Sequence, residues 1–319
     1  MSWDENDQPS AWSERAYFSM GMLNFSDWQG AFIGLDVGYD KTDKFSELYL
    51  PPARYLRKSF NLNKPVRRAI AYATAQGVYE LRLNGEKVGD KFLLPGWTDY
   101  NKRLYYQAFD ITDQLTRGEN VIGAILGDGW YAGYLGYALL RKQDRIRDFY
   151  GANPSFMGQI VVEYIDGTTE VIASGRDWKA NEGPIREADL LMGERYDARL
   201  ERPGWDAPGY NDNGWRSPRP YHMSFGSVEA YPGSLLTARE WLPAKKITEP
   251  APGVYVFDLG KNFAGIAAFK FEALAGTEIR IRYGEILKKD GNIMTANLRT
   301  ARATDYYICL LYTTNGADT

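Results

Sequence analysis

Short stretches of alternating apolar and polar residues, each closed by turn residues, constrain this chain more than any other feature. In Val78–Leu83 (VYELRL) the polar Glu80 and Arg82 alternate with Tyr79, Leu81 and Leu83, and Asn84-Gly85 follows directly. Such a pair tolerates the positive φ angles that a two-residue hairpin turn requires. The same pattern recurs at Asp166-Gly167, around Gly276 and at Asp290-Gly291. Because no long helical periodicity separates these strands, the sequence predicts an all-β fold of antiparallel, jelly-roll-like β-sandwiches.

The composition favours a carbohydrate-handling sandwich and argues against several other classes. The chain has 9 Trp and 23 Tyr, and aromatic rings with polar tips suit both sandwich cores and the stacking surfaces of sugars. A net charge of -3 gives no reason to expect nucleic acid as a partner. With one cysteine (Cys309) and one histidine (His222), an internal disulfide and a Cys/His zinc site are excluded. We expect His222 to be a structural residue.

Membrane and export signals are absent from the printed sequence. It contains no apolar run long enough to span a bilayer, so no membrane partner is expected. The polar start MSWDENDQPSAWSE predicts no signal peptide within these residues, and the sequence assigns no compartment.

Composition divides the chain into parts. Residues 25–50 are interpreted as a connecting arm, and 51–218 as the first sandwich domain. Residues 219–250 belong to a tract rich in Pro, Gly and Trp, interpreted as a linker packed on a sandwich. The second sandwich is placed at 251–319 and is expected to be incomplete.

Acidic pairs are the first candidates for catalysis, because glycoside hydrolysis usually needs two carboxyl groups. The candidates are Glu187 with Asp189, Glu194 with Asp197, and Glu285 with Asp290. The alternating signs of Glu194, Arg195, Asp197 and Arg199 favour an ion-paired strand over a catalytic dyad. We therefore predict structural roles for these pairs.

A cluster after the first hairpin is a stronger candidate for binding. Trp97, Asp99, Tyr100 and Asn101 combine an aromatic face with carboxylate and amide oxygens. Such a set holds sugar hydroxyls directly or through Ca²⁺, which prefers Asp, Asn and carbonyl oxygens. The alternative interpretation is a plain turn, since Asp and Asn also favour turns.

The stretch LGDGWYAGYLGY (Leu126–Tyr137) is expected to end a strand in a sharp corner. Gly127, Gly129 and Gly133 allow the tight backbone, and Trp130 packs against it. These glycines do not open a phosphate-binding helix, so no nucleotide site is predicted.

Several tracts, in order, resemble bacterial α-L-rhamnosidases of glycoside hydrolase family 78. Tyr79–Thr112, Glu119–Gly136 and Asp189–Trp205 resemble the family's N-terminal β-sandwich. Tyr255–Ile308 is similar to the second sandwich, which precedes a helical catalytic barrel. The tract before residue 24 resembles the closing strand of a fibronectin-III-like domain, so 1–24 is interpreted as its remnant.

The resemblance implies a non-catalytic N-terminal region of an inverting α-L-rhamnosidase. The family's catalytic carboxylates lie on the barrel, and no residue of this chain matches them. A sandwich of this type in some members holds L-rhamnose through calcium. The nearest matches to its metal ligands are Asp99 with Asn101 and Asn153 with Pro154, beside Tyr100. The resemblance further implies Trp130 and Tyr131 as sugar contacts, and Trp97 is a sugar contact expected from the cluster described above.

The resemblance also bears on the C-terminal end. After Ile308 the chain continues as CLLYTTNGADT, which differs from the family and is interpreted as a truncation of the second sandwich. An exposed sheet edge would then favour self-association. The expected partners are L-rhamnose or rhamnosylated glycans. The alternatives are domains that only brace a barrel, or an active hydrolase that uses the acidic pairs above.

Overall fold

A computed structural model describes residues 1–14, 20–37, 48–136, 147–222 and 226–310. The prediction about the end of the chain concerns 309–319, of which 311–319 lie outside the described ranges, as does Tyr137. In chain order the strands are β1 Phe32–Gly34, β2 Arg54–Leu62, β3 Val66–Gln76, β4 Val78–Leu83, β5 Glu86–Lys87, β6 Lys91–Phe92, β7 Arg103–Asp110, β8 Gly118–Gly127, β9 Ser155–Tyr164, β10 Thr169–Ala173, β11 Lys179–Glu182, β12 Ile185–Asp189, β13 Gly193–Asp197, β14 Arg219–Tyr221, β15 Ser227–Ala230, β16 Leu236–Thr237, β17 Lys246–Ala251, β18 Val254–Asp258, β19 Glu278–Arg282, β20 Ile286–Leu287, β21 Ile293–Met294 and β22 Thr304–Ile308. The helical elements are α1 Gly129–Ala132 and the 3-10 turns Phe25–Asp27, Thr112–Gln114, Ala198–Leu200 and Ala296–Leu298.

Two sheets form the first sandwich. The larger sheet has the order β14-β1-β9-β3-β7-β15, with β10 also pairing to β9, and the smaller has the order β11-β2-β8-β4-β5. Alternate residues of both sheets point into one core, which includes Leu56, Leu81, Leu126, Phe156 and Ile160. The prediction of an all-β fold is confirmed. The pairing is mostly antiparallel, but β15 lies parallel to β7.

The outer faces of both sheets are also covered. On the larger sheet, Tyr72, Tyr106 and Met157 pack with Trp28 from the preceding segment. The phenol of Tyr106 donates to the carbonyl of Met22, which fastens that segment to the sheet.

On the smaller sheet, Trp205 and Trp215 cover Tyr55 and Ala53. The Trp205 and Trp215 rings stack with centroids 6.2 Å apart, and Trp205 meets Tyr55 edge to face at 5.0 Å. Aromatic packing from this segment therefore covers the outer face of the smaller sheet. Both rings precede the tract interpreted as a linker, residues 219–250, whose own Trp241 is 81% exposed.

The predicted hairpin turn at Asn84-Gly85 is present. Asn84 has a φ of 52° and Gly85 a φ of 92° between β4 and β5. The Asn84 side chain also donates to the Gln114 carbonyl and accepts from the backbone N–H of Val121 at 2.8 Å. The turn residue thus fastens the neighbouring loop and β8. Gly167 likewise has a φ of 82° between β9 and β10.

Segments interpreted as an arm and a linker contribute strands. Within the arm, β1 pairs Ile33 with Phe156 of β9 and also pairs with β14. Within the linker, β14, β15 and β16 pair with β1, β7 and β6. These strands have only two to four residues each, so local alternation could not reveal them.

A four-stranded sheet joins the two parts of the chain, in the order β12-β13-β22-β19. Here β13 pairs in parallel with β22, placing Arg195 opposite Tyr306 and Tyr196 opposite Tyr307. The Tyr196 and Tyr307 rings stack with centroids 5.5 Å apart. The second part therefore shares a hydrogen-bonded sheet with the first.

Large apolar side chains after β16 are widely exposed. Ile247 is 57% exposed, Tyr255 58%, Ile266 74% and Leu274 77%. They differ from the first sandwich, whose strand residues are mostly buried. In the described parts of the chain, no helix is both long and apolar enough to cross a membrane.

Gly193 lies where the backbones of β13 and β22 come closest. Its φ is 96°, and a Cβ there would lie 2.2 Å from the carbonyl oxygen of Thr304. We predict that Gly193→Ala destabilises the protein by about 3 kcal/mol, since it adds a backbone clash to the strain of a positive φ. Urea unfolding and hydrogen exchange of β22 measure this effect.

The matched control is Gly214→Ala. Gly214 has a φ of 88° with no atom within 4 Å of the added Cβ, so only the conformational strain, about 1 kcal/mol, is expected. Equal losses in the two variants would show that the close approach of the two strands contributes nothing.

Candidate functional site

The first candidate loop leaves β6 and enters β7. Gly96 has a φ of 94° and lies against the Tyr231 ring, which turns the chain toward Trp97. Asp99 then forms a tight turn, because its carboxylate accepts from the N–H of Asn101 at 3.1 Å and its carbonyl from the N–H of Lys102 at 2.9 Å. This turn presents Trp97 on one side of the loop.

The second candidate loop begins where β8 ends. Gly129 has a φ of 54°, and a Cβ on it would lie 2.6 Å from Val78, so this corner requires glycine. Residues Gly129–Ala132 form α1, which carries Trp130 and Tyr131. The predicted sharp corner is present, and Trp130 lies half-buried on it.

A buried ion cluster holds that corner. The Asp128 carboxylate lies between Arg54 and Arg147, with both N–O distances at 2.6 Å. The Asp128 side chain is 1% exposed, so the two guanidinium groups replace its lost hydration. Removing one member of such a buried set typically costs about 3–5 kcal/mol. The cluster therefore fixes α1 to β2 and to the segment after 146.

The two loops meet in an aromatic cluster. The Trp97 and Trp130 rings are nearly parallel, with centroids 6.3 Å apart and planes 8° from each other. Trp97 is 50% exposed. Tyr100 packs edge-on against Tyr131 at 5.4 Å and against Tyr150 at 5.0 Å. We call Trp97, Tyr100, Trp130, Tyr131 and Tyr150 the aromatic platform.

The phenol of Tyr100 is a buried polar group without a hydrogen-bond partner among the described residues. The residue is 1% exposed. Burial raises the pKa of this phenol, and the neighbouring Tyr150 and Tyr131 raise it further, so the group stays protonated and able to donate. An unpaired buried donor costs free energy until a water or a ligand accepts from it.

The predicted calcium ligands occupy two loops. The Asp99 carboxylate is engaged in its own turn and lies 3.6 Å from the Lys102 ammonium. Asn153 is exposed and Pro154 is buried. The loop that carries them approaches the platform at Gly151, where a Cβ would lie 2.2 Å from the Tyr131 hydroxyl.

No hydrogen bond or ion pair between described residues joins Asp99 to Asn153 or Pro154. In the described ranges, no group of three His, Cys, Asp or Glu side chains could hold a metal ion. A calcium site made of Asp, Asn and backbone carbonyl oxygens stays a prediction.

Most of the acidic candidates are held in ion pairs or turns. Glu187 accepts from Arg195 at 3.2 Å and from Arg302 at 2.7 Å. The Asp197 carboxylate pairs with Arg199 at 2.7 Å. Of the four residues with alternating signs, Asp197 and Arg199 pair with each other, and Arg195 pairs with Glu187 and Glu278.

The remaining candidates serve local structure or the junction. Asp189 accepts from the backbone N–H groups of Tyr134, Leu191 and Met192, and Asp290 accepts from the N–H of Asn292.

Glu194 is the exception. It extends toward Asp305 and Glu80, and burial together with these carboxylates raises its pKa to about 7. Solvent still reaches one side of the residue, whereas protein atoms crowd its carboxyl group. Its neighbour Asp305 accepts from the Tyr283 hydroxyl at 2.6 Å.

Sequence reasoning missed two parts of this region. Tyr150 was not singled out, although it belongs to the aromatic tract DFYGAN next to Asn153. The cluster of Arg54, Asp128 and Arg147 was also missed, because its members lie 74 and 19 residues apart along the chain. The one available signal was an aspartate inside the glycine-rich corner.

Comparisons with known families assign the chain. The sequence model of the α-L-rhamnosidase N-terminal domain matches residues 64–240, and that of the bacterial α-L-rhamnosidase concanavalin-like domain matches 248–319. The first match alone covers more than half of the chain, so the chain belongs to the bacterial α-L-rhamnosidase family. The prediction of a non-catalytic N-terminal part of such a protein fits these matches.

Individual relatives support the assignment. An α-L-rhamnosidase of Streptomyces avermitilis is 47% identical over 80% of this chain, and one of Alteromonas sp. (strain LOR) is 35% identical over 96%. The chain spans only 24% and 33% of the length of these two proteins.

Solved structures agree with the sequence matches. The S. avermitilis α-L-rhamnosidase complexed with L-rhamnose has a TM-score of 0.78 at 45% identity, covering 82% of this chain and 25% of that one. The native enzyme from Aspergillus terreus has a TM-score of 0.86 at 30% identity, covering 96% and 34%.

Glu194 predicts a distinct pH dependence. Its folded-state pKa of about 7 lies above the ordinary value of 4.5, so its favourable contribution is complete below pH 4.5 and is lost as the pH rises through 7. We expect Glu194→Gln to match the native protein at pH 4.5 and to exceed its stability at pH 8 by about 1 kcal/mol, a value reduced for solvent screening. Urea unfolding at both pH values measures the difference.

Glu285→Gln, in the exposed segment before β20, is the control and is expected to change stability equally at both pH values. A Glu194→Gln effect that does not depend on pH would contradict the role of the junction carboxylates.

Proposed function

We propose that residues 51–218 bind a terminal L-rhamnosyl sugar on the aromatic platform, as a carbohydrate-binding part of an α-L-rhamnosidase. We further propose that the whole protein hydrolyses terminal α-L-rhamnosyl bonds with inversion. In this proposal the described residues capture the sugar and do not cleave it.

One observation carries the binding proposal: the exposed Trp97 lies nearly parallel to the half-buried Trp130, with ring centroids 6.3 Å apart. Indole faces present a broad apolar surface with a polar edge, which suits the C–H face of a pyranose ring. A sugar ring that covers an exposed Trp also removes apolar surface from water, which lowers the free energy of the complex. The corner cluster at Asp128 holds Trp130 before the ligand arrives, so little conformational entropy is lost on binding.

Polar groups beside the rings suit the sugar's hydroxyls. The unpaired phenol of Tyr100 donates to an oxygen acceptor that enters between Tyr131 and Tyr150. The exposed Asn153 adds amide donors and an amide acceptor in the adjacent loop. Apolar faces with a few polar groups are the usual design of small-ligand sites.

The relatives support this choice of ligand. A solved structure of the S. avermitilis enzyme, 45% identical over the aligned part, is complexed with L-rhamnose. Because that relative binds L-rhamnose, L-rhamnose is the first sugar to test on this chain.

Two alternatives are less well supported. A purely structural role leaves the exposed Trp97 and the unpaired Tyr100 without an explanation. A hydrolase among the acidic pairs would need two available carboxylates, but each pair has at least one that is already held. Glu187 and Asp197 are held by arginines, and Asp189 and Asp290 by backbone N–H groups.

We predict that L-rhamnose binds the chain with a Kd on the order of 1 mM, as expected of one monosaccharide on an open surface. Trp97→Ala should weaken binding at least about fivefold, because it removes one of the two stacking rings. Isothermal titration calorimetry measures both values. The control Trp12→Ala removes another exposed Trp, far along the chain from the platform, and should leave the Kd unchanged.

If titration of the native protein with L-rhamnose produces no heat, either with or without Ca²⁺, the structural alternative is correct. Titrations with Ca²⁺ and with EDTA also test the calcium prediction. If Asp99 and Asn153 share a calcium ion, EDTA abolishes binding; if the platform acts alone, EDTA changes nothing.

We also propose that the chain self-associates through β19, the end strand of the four-stranded sheet. Thr277 and Tyr283 make their backbone bonds toward β22, so the backbone groups of 278, 280 and 282 face the free edge. Antiparallel pairing with a second copy would place Glu278 opposite Arg282 twice. The exposed apolar side chains nearby would be covered in the same contact.

For this proposal we expect a dimer by size-exclusion chromatography with light scattering. Arg280→Pro should yield a monomer, because proline removes an edge N–H while the bonds to β22 remain. Arg280→Ala, which keeps that N–H, should stay dimeric. A native monomer, or a dimeric proline variant, would overturn the proposal.

A further inference from the structure

We propose that a cleft between β6 and β16 binds an anionic substituent, a carboxylate or a sulfate ester, of the glycan whose rhamnose occupies the platform. The proposal rests on the proposed function, since it adds a second contact to the same glycan. It concerns a different set of residues from the platform.

The cleft has a volume of about 640 Å³. Its walls come from the pairing of β6 with β16, in which Thr237 lies opposite Lys91. Asp90, Ser234 and Arg239 complete the polar lining. It is thus an open polar cleft, large enough for one sugar unit.

The charges in the cleft leave one cation uncompensated. Lys91 pairs with Asp90 at 2.9 Å, and this contact is the largest cause of the lowered pKa of Asp90. Arg239 is exposed and has no ion pair or hydrogen bond within the described residues. The lining therefore carries a net positive charge that an oxyanion would balance.

The donors in the cleft suit an oxyanion. The guanidinium of Arg239 presents a planar fork that matches a carboxylate or a sulfate. The Ser234 and Thr237 hydroxyls are likewise unengaged within the described residues and can donate to the same group. Leu235, which packs on the sandwich core, holds this segment in place.

One aromatic residue connects the cleft with the platform. The Tyr231 ring packs against Gly96, where a Cβ would lie 2.7 Å from the ring, and against Gly233, where it would lie 3.2 Å away. Gly96 directly precedes Trp97, and Gly233 lines the cleft. A glycan that leaves the platform past Tyr231 therefore reaches Arg239, so an acidic unit next to the rhamnose fits this arrangement.

Calorimetry on the native chain tests the proposal with four probes. They are L-rhamnose, a rhamnosyl-glucuronate disaccharide, the neutral methyl ester of that disaccharide, and a disaccharide with a sulfate ester in place of the carboxylate. At low salt the acidic disaccharide should bind about fivefold more tightly than its ester, as a partly exposed ion pair allows. Added NaCl should reduce that difference. The sulfate probe shows which oxyanion the cleft prefers.

Two variants show whether Arg239 causes the preference for the acidic probe. Arg239→Ala should abolish the preference for the acidic probe and leave the Kd for L-rhamnose unchanged. Arg280→Ala, which removes another exposed arginine on β19, should retain the preference. Equal affinity of the native chain for acid and ester, or an equal loss for both probes in Arg239→Ala, would overturn the cleft proposal.

The two proposals fail separately. If L-rhamnose binds but the acid adds nothing, the cleft proposal is wrong and the platform stands. If the acidic disaccharide binds while L-rhamnose and the neutral ester do not, the platform proposal is wrong and the cleft binds anions independently.

Discussion

Burial of both faces of the central strands is the constraint on which the structure depends. In β3 the last eight residues are all buried, so neither side of that strand meets water. The inner faces are covered by the opposite sheet, but the outer faces need separate cover. The segments around Trp28, Trp130 and Trp205 supply it. These irregular segments are therefore as necessary to the fold as the strands.

This requirement also explains where the binding candidates lie. A segment that covers the outer face of a sheet packs some of its aromatic rings against the sheet. Other rings at the border of the covered area stay exposed to solvent. Tyr100 and Tyr131 belong to the covered side, whereas Trp97 lies at the rim with half of its surface exposed. The aromatic platform is thus a by-product of closing the larger sheet. The ion cluster at Asp128 then fixes its orientation.

The sequence predicted the features that depend on neighbouring residues. Asn84-Gly85 and Asp166-Gly167 identified hairpins, and the glycines at 127 and 129 identified the corner after β8. Pairings over long sequence distances could not be read, because nothing local distinguishes a short strand such as Phe32–Gly34 from a loop. The stacking of Trp97 on Trp130 likewise needed coordinates. Both rings were predicted as contacts, but their parallel arrangement arises from two loops fixed by different strands.

The sheet shared by β12, β13, β19 and β22 has a consequence for exchanging parts between proteins. The two family models divide this chain between residues 240 and 248, whereas the hydrogen bonds of that sheet cross the division. A recombination event or a cloning boundary at this place would separate β13 from β22 and expose a new edge on each product. These two domains are therefore expected to be inherited and engineered as one unit.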